Sequence, residues 1–201
     1  MRYRYYLVLD TEFVSSKQSK QPLQIAIRAY ELQSGQFVHL KDFSSFIFLK
    51  KGNYLNQHVR QYTKINESVL REKGIRFSDA RLQLIHFLLE FPFHETLLIG
   101  WDPNQDIIML NLLLNDNDDQ MLDMRWYSWL DLAGAIRLLQ NIPKHLTPSL
   151  EKACALYAIP PVEFHDAEVD AFATASLFFA IDPVTNCDRI NRSHAIKPST
   201  L

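Results

Sequence analysis

Near its start the chain carries five consecutive apolar residues, Tyr5, Tyr6, Leu7, Val8 and Leu9, that run into Asp10, Thr11 and Glu12. A short apolar run closed by charge reads as a buried strand reaching the edge of a core. Side chains alternate along a strand, so Asp10 and Glu12 point to the same face where the strand leaves the core. Two carboxylates held side by side repel as bare anions, and a divalent cation such as Mg²⁺ or Mn²⁺ relieves that repulsion. An isolated Asp-x-Glu more often ends a strand in solvent, so a metal site needs further ligands from elsewhere in the chain.

Candidates stand far downstream. After the apolar run Thr96 to Gly100, Asp102 and Pro103 read as the N-cap and first residue of a helix through Ile107, Ile108, Leu110 and Leu112 to Leu114. Capping accounts for Asp102, whereas Asp106 falls in the first turn with no comparable local duty, which makes it the better ligand. Near the C-terminus, Asp166 reads as the N-cap of an alanine-rich helix, and Asp170 sits about one turn inside it. Asp166 and Glu168 are explained by favourable charge at a helix N-terminus. His165 precedes that helix. Five positions apart, His165 and Asp170 cannot share a stripe of one continuous helix, but from a loop the imidazole can swing over the site that Asp170 enters.

Asp10, Glu12, Asp106 and Asp170 together suit two divalent ions serving an in-line displacement at phosphorus, with His165 as the base for the attacking water. On these residues the chain resembles the DEDDh branch of the DnaQ-like 3′–5′ exonuclease superfamily, the RNase T group of ribonuclease H-like nucleases. The resemblance lies in Asp10-Thr11-Glu12-Phe13, in Gly100-Trp101-Asp102-Pro103-Asn104-Gln105-Asp106, and in His165-Asp166-Ala167-Glu168-Val169-Asp170-Ala171. It extends to Pro22-Leu23-Gln24-Ile25-Ala26 as the second strand and to Tyr62-Thr63-Lys64-Ile65 in place of a Thr-Gly-Ile turn. Two departures stand out: Trp101-Asp102 replaces the His-Asn common in the second motif, and Lys64 replaces the turn glycine, which favours a different backbone shape there.

The resemblance implies an α/β, ribonuclease H-like fold, a mixed β-sheet flanked by α-helices. It implies a catalytic domain, expected over residues 1–181; from Asp182 onward the apolar pattern gives way to Pro183, Thr185, Asn186, Asn191, Ser193, Pro198 and Ser199, which reads as a C-terminal tail, 182–201, flexible or laid over the surface. It further implies hydrolysis of phosphodiester bonds from the 3′ end of single-stranded or frayed RNA or DNA, releasing nucleoside 5′-monophosphates. Asp10 is expected to bridge two Mg²⁺ or Mn²⁺ ions, Glu12 and Asp170 to share one, and Asp106 to support the other through water. Thr11, Phe13 and Trp101 are expected to meet the substrate, Trp101 by stacking on a base. An alternative is a proofreading or nucleic-acid-binding subunit that docks on a polymerase or another partner and turns over weakly itself; a homodimer is a further option.

Composition is compatible with this reading. With 201 residues and 47% hydrophobic side chains the chain can bury one substantial core. Its two cysteines, Cys154 and Cys187, offer neither a disulfide framework nor zinc spacing, so a reducing, cytoplasmic setting is expected. Arg2 and Arg4 lead into the first strand without a signal-peptide stretch, and no run approaches a membrane span. A net charge of −2 does not argue against nucleic acid, because cations bound by the acids restore positive potential where phosphate must sit. The patterning predicts strands over Tyr5 to Asp10, Leu23 to Leu32, Gln36 to Leu49, Leu97 to Gly100 and Tyr127 to Leu132. Helices are predicted from Ser78 and from Thr147-Pro148.

Overall fold

The computed structural model describes residues 3–15, 20–115, 122–160, 162–192 and 196–197. In chain order the elements are β1 (Tyr5–Ser15), β2 (Lys20–Gln33), β3 (Gln36–Ile47), α1 (Gln57–Tyr62), α2 (Glu67–Lys73), β4 (Gly74–Ile75) and α3 (Phe77–Leu89). There follow β5 (Thr96–Gly100), α4 (Asn104–Leu114), β6 (Ser128–Asp131), α5 (Leu132–Leu139), α6 (Leu150–Leu156), α7 (Ala167–Ala180), α8 (Cys187–Arg192) and β7 (Ile196–Lys197). The strands form one mixed sheet in the order β4-β3-β2-β1-β5-β6-β7. β1, β2 and β3 are antiparallel neighbours, whereas β5 and β6 run parallel to β1.

Alternation along the central strands builds two cores. Leu7 and Leu9, with Ile25 and Ile27, face one way and are covered by Leu84 and Leu88 of α3 and Leu110 and Leu113 of α4. Tyr6, Val8 and Ile99 face the other way, against Ile136 of α5, Cys154 of α6 and Leu177 and Phe178 of α7. A smaller cluster of Val14, Leu23, Val59, Ile65 and Leu70 seats α1 and α2 beside the far end of β1. Helix α7 lies close on β2 where small side chains meet, Ala26 against Ala167 and Ala171.

The first strand continues beyond Asp10. It pairs with β2 as far as Ser15 opposite Lys20, and the ladder shifts between Glu12 and Phe13: Glu12 faces Gln24 and Phe13 faces Pro22. Leu23 is thus the extra residue of a bulge, next to a proline that has no N–H to give the ladder. On its other side β1 pairs with β5 only from Tyr5 to Val8, and β5 ends at Gly100. Asp10 and Glu12 therefore lie along an open edge, in the crevice outside the carboxyl ends of parallel strands where ligands bind in open α/β sheets.

Other boundaries differ in instructive ways. Asp102 does not cap α4: its backbone is left-handed (φ 50°), its carboxylate accepts from the Asn104 side chain at 2.9 Å, and Pro103 occupies the cap position. Gly100 permits this tight turn, since a Cβ there would sit 2.7 Å from the Pro103 Cβ. Helix α3 begins at Phe77 after Arg76, without a side-chain cap from Ser78; Leu82 and Leu89 are exposed while Leu84, Ile85 and Leu88 are buried. Lys64 does not adopt a positive φ, so the turn there has no need of glycine. Of the expected tail, 182–201, the described part supplies α8, with Ile190 in the second core, and β7, which pairs with β6; Lys17 and the last four residues lie outside the described residues.

Candidate active site

The expected carboxylates converge at this open edge from three elements. Asp10 and Glu12, both half-buried, come from β1 on the face covered by α7. Asp106, 6% exposed, comes from the first turn of α4 in the opposite layer. It is fixed by Thr11, whose backbone N–H and hydroxyl both donate to its Oδ1, at 3.0 and 2.6 Å. Thr11 was expected to touch substrate; it is instead 5% exposed and its donors are directed at Asp106. The physical reason is alternation: Thr11 shares the face of Leu7 and Leu9, on which α4 packs.

Asp170, 8% exposed, comes from the first turn of α7. Its Oδ2 accepts from the backbone N–H of His165 at 3.2 Å, and its buried Oδ1 has no hydrogen-bond partner among the described residues. The Asp166 carboxylate caps α7 by accepting from the Glu168 N–H. His165 lies outside the helix with φ 67°, a left-handed conformation that costs a non-glycine residue on the order of 1 kcal/mol. That turn exposes the imidazole and brings it over the site: Glu12, His165 and Asp170 each offer a ligand atom, all within 4.8 Å of one another.

A further residue secures this arrangement. Gln24, 1% exposed and paired with Glu12 across the ladder, donates through Nε2 to the Asp166 Oδ1 and accepts through Oε1 from the Ala167 N–H, both at 3.2 Å. One side chain thus ties the start of α7 to the strand beside Glu12. Its place in the Leu23-Gln24-Ile25 run is the only sequence signal, a lone amide among apolar neighbours. Tyr62, at the end of α1, brings its ring edge-on toward the His165 imidazole, with centroids 6.4 Å apart. The His165 loop is also held by an ion pair between Lys64 and Glu163.

The electrostatics are those of anions crowded together. Burial, then Asp106, Asp170 and Glu12, push Asp10 well above the ordinary carboxylate range. Burial followed by the charge of Asp170 raises Glu12 to about 8. Burial also raises Asp106 and Asp170 to about 6, against the pull of the Thr11 donors on the first and the His165 N–H on the second. Each of these shifts marks a carboxylate whose negative form lacks a compensating positive charge. Together with the unpartnered Asp170 Oδ1, a hard oxygen donor set of this kind fits divalent cations.

The two remaining substrate candidates flank this cluster. Phe13 is half-buried just past the bulge. Trp101, also half-buried, packs on the second core and lines a cleft of about 560 Å³ with Asp131, Arg137 and Lys144.

The architecture is the ribonuclease H-like fold, and the solved structures that superpose on it include nucleases. Cell-death related nuclease 4 (CRN-4) superposes with a TM-score of 0.70 at 16% identity, covering 92% of this chain and 65% of its own. Escherichia coli exonuclease I, in its zinc-bound complex with single-stranded DNA, gives 0.73 at 18%, covering 93% and 42%. The nuclease domain of 3′hExo, a DEDDh family member bound to rAMP, gives 0.68 at 10%, covering 93% of each chain. The chain thus spans less than half of exonuclease I and about two thirds of CRN-4. No family model matches the sequence, and no curated protein resembles it in sequence.

Proposed function

We propose that the chain is a metal-dependent 3′–5′ exonuclease that releases nucleoside 5′-monophosphates from single-stranded or frayed ends of RNA or DNA. The observation that carries this reading is the meeting of Asp10, Glu12, Asp106 and Asp170 at one open sheet edge, with His165 turned over them. Those four carboxylates would hold the metal, Mg²⁺ or Mn²⁺ and two ions by resemblance. Bound there, divalent cations supply the positive charge that an in-line displacement at phosphorus requires.

The chain's own residues do the rest. The exposed His165 accepts the proton of the attacking water, and its backbone N–H keeps Asp170 aimed at Glu12. Thr11 holds Asp106 against β1. Trp101 and Phe13 receive the terminal bases, Trp101 by stacking. Relatives in fold have been captured with single-stranded DNA, in exonuclease I, and with rAMP, in 3′hExo, which supports a single-stranded 3′ end of either sugar as substrate. A reducing, cytoplasmic setting is part of the same proposal, supported by the unpaired, buried Cys154; among the described residues no helix is long and apolar enough to cross a membrane.

The deciding experiment incubates the protein with a 5′-labelled single-stranded oligonucleotide and Mg²⁺ or Mn²⁺. A ladder shortening from the 3′ end, absent in EDTA and in Asp10→Asn, is the expected result. Binding of the oligonucleotide without turnover would refute the enzyme and favour the docking-subunit alternative.

A further inference from the structure

We infer that the cleft beside Trp101 is a phosphate-binding subsite, in which Arg137 and Lys144 grip the nucleic-acid strand upstream of the bond being cut. This rests on the exonuclease reading and adds to it a demand for substrate length. The cleft begins one strand away from the carboxylates: Trp101 follows Gly100, the last residue of β5, and Gly100 is in register with Asp131, the last of β6. With strands about 4.8 Å apart, the end of β6 lies on the order of 10 Å from β1.

The charges in the cleft are unequal in their commitments. Asp131 accepts from the Gly134 N–H at 3.0 Å, and Asp102 accepts from the Asn104 side chain. Arg137, half-buried on α5, and Lys144, exposed in the following turn, have no ion pair or side-chain hydrogen bond among the described residues. On the other side of the site Lys64 pairs with Glu163, and Arg28 is shared by Asp42 and the Tyr30 hydroxyl. The Arg137 guanidinium has no anion of its own among the described residues, and a phosphodiester is the anion that the neighbouring chemistry brings. The carboxylate cluster repels a polyanion until cations occupy it, so holding more than one nucleotide falls to this wall.

The test compares wild type with the double variant Arg137→Gln/Lys144→Gln on two substrates. One is a single-stranded octanucleotide; the other is the p-nitrophenyl ester of thymidine 5′-monophosphate, which has no upstream strand. The double variant is expected to raise KM for the octanucleotide about tenfold relative to KM for the ester, and to lower the salt slope of octanucleotide binding by about 1.4, or 0.7 per phosphate contact. Arg137→Lys, which keeps the charge, should recover part of the loss. An unchanged ratio of the two KM values, or an equal shift in both, would overturn the subsite. Fluorescence anisotropy with the same octanucleotide in EDTA reads the cleft without turnover. A wild type that binds tenfold more tightly than the double variant yet hydrolyses neither substrate refutes the exonuclease and upholds the subsite; equal dissociation constants refute the subsite.

Discussion

At the scale of single residues, the proposed function separates groups that hold charge from the group that moves a proton. Asp10 is crowded by Asp106, Asp170 and Glu12, so its loss should relieve repulsion and remove a ligand together. Mn²⁺ or Mg²⁺ is expected to raise the melting temperature of the wild type by mass action, and Asp10→Asn to abolish most of that rise; differential scanning fluorimetry with and without metal is the check. His165 should behave otherwise. His165→Ala is expected to keep the metal-induced rise while kcat falls by about 10² to 10⁴, the range a general base supplies. Because φ at His165 is 67°, the cleaner variant is His165→Asn, whose side chain tolerates left-handed backbone. It should lose turnover equally and melt no lower than the alanine variant. Turnover near wild type in either variant would make His165 a surface residue.

At the scale of elements, all five catalytic candidates were legible in the sequence as positions at the ends of apolar segments, because strand and helix starts leave local signals. The structure also brings them to one edge. What holds them there was less visible, since those bonds join residues far apart in the chain: Thr11 to Asp106, and Gln24 to Asp166 and Ala167. Alternation alone could have told that Thr11 faces away from Asp10 and Glu12. The continuation of β1 past Asp10 was hidden because charged residues there read as an exit from the core, while its ladder depends on a partner strand that starts earlier, at Lys20. β7, at two residues, is too short to leave a periodic signal. The Gln24 bridge makes its own prediction: Gln24→Ala should leave the Ala167 N–H unsatisfied and let the His165 segment drift from Glu12, lowering kcat about 10- to 100-fold. Steady-state kinetics should place that loss in kcat rather than in KM, and an unaltered kcat would confine Gln24 to stability.

For the molecule as a whole, the raised carboxylates predict how stability follows pH. Carboxyls titrate near 4 in an unfolded chain, whereas in the fold Asp106 and Asp170 are raised to about 6 and Glu12 to about 8. Between those values the folded state binds more protons than the unfolded one. Their contribution to stability is therefore fully present below about pH 4 and is lost as pH rises through 6 and then 8. In EDTA the melting temperature should fall between pH 5.5 and pH 8.5, and saturating Mn²⁺ should flatten or reverse the trend by binding the deprotonated forms. A metal-free protein that gains stability over this interval would contradict the crowding of the four acids.

Asp106 reaches the site from the helical layer on one face of the sheet, and Asp170 from the layer on the other. Whatever is bound between them acts as a clasp, joining two layers that otherwise rest on separate cores. Loading the site should then slow amide exchange in α4 and α7 together, although the sheet stands between them. On the proposed function, catalytic readiness and mechanical closure would be set by the same event, and the protein with its site empty would be the looser one.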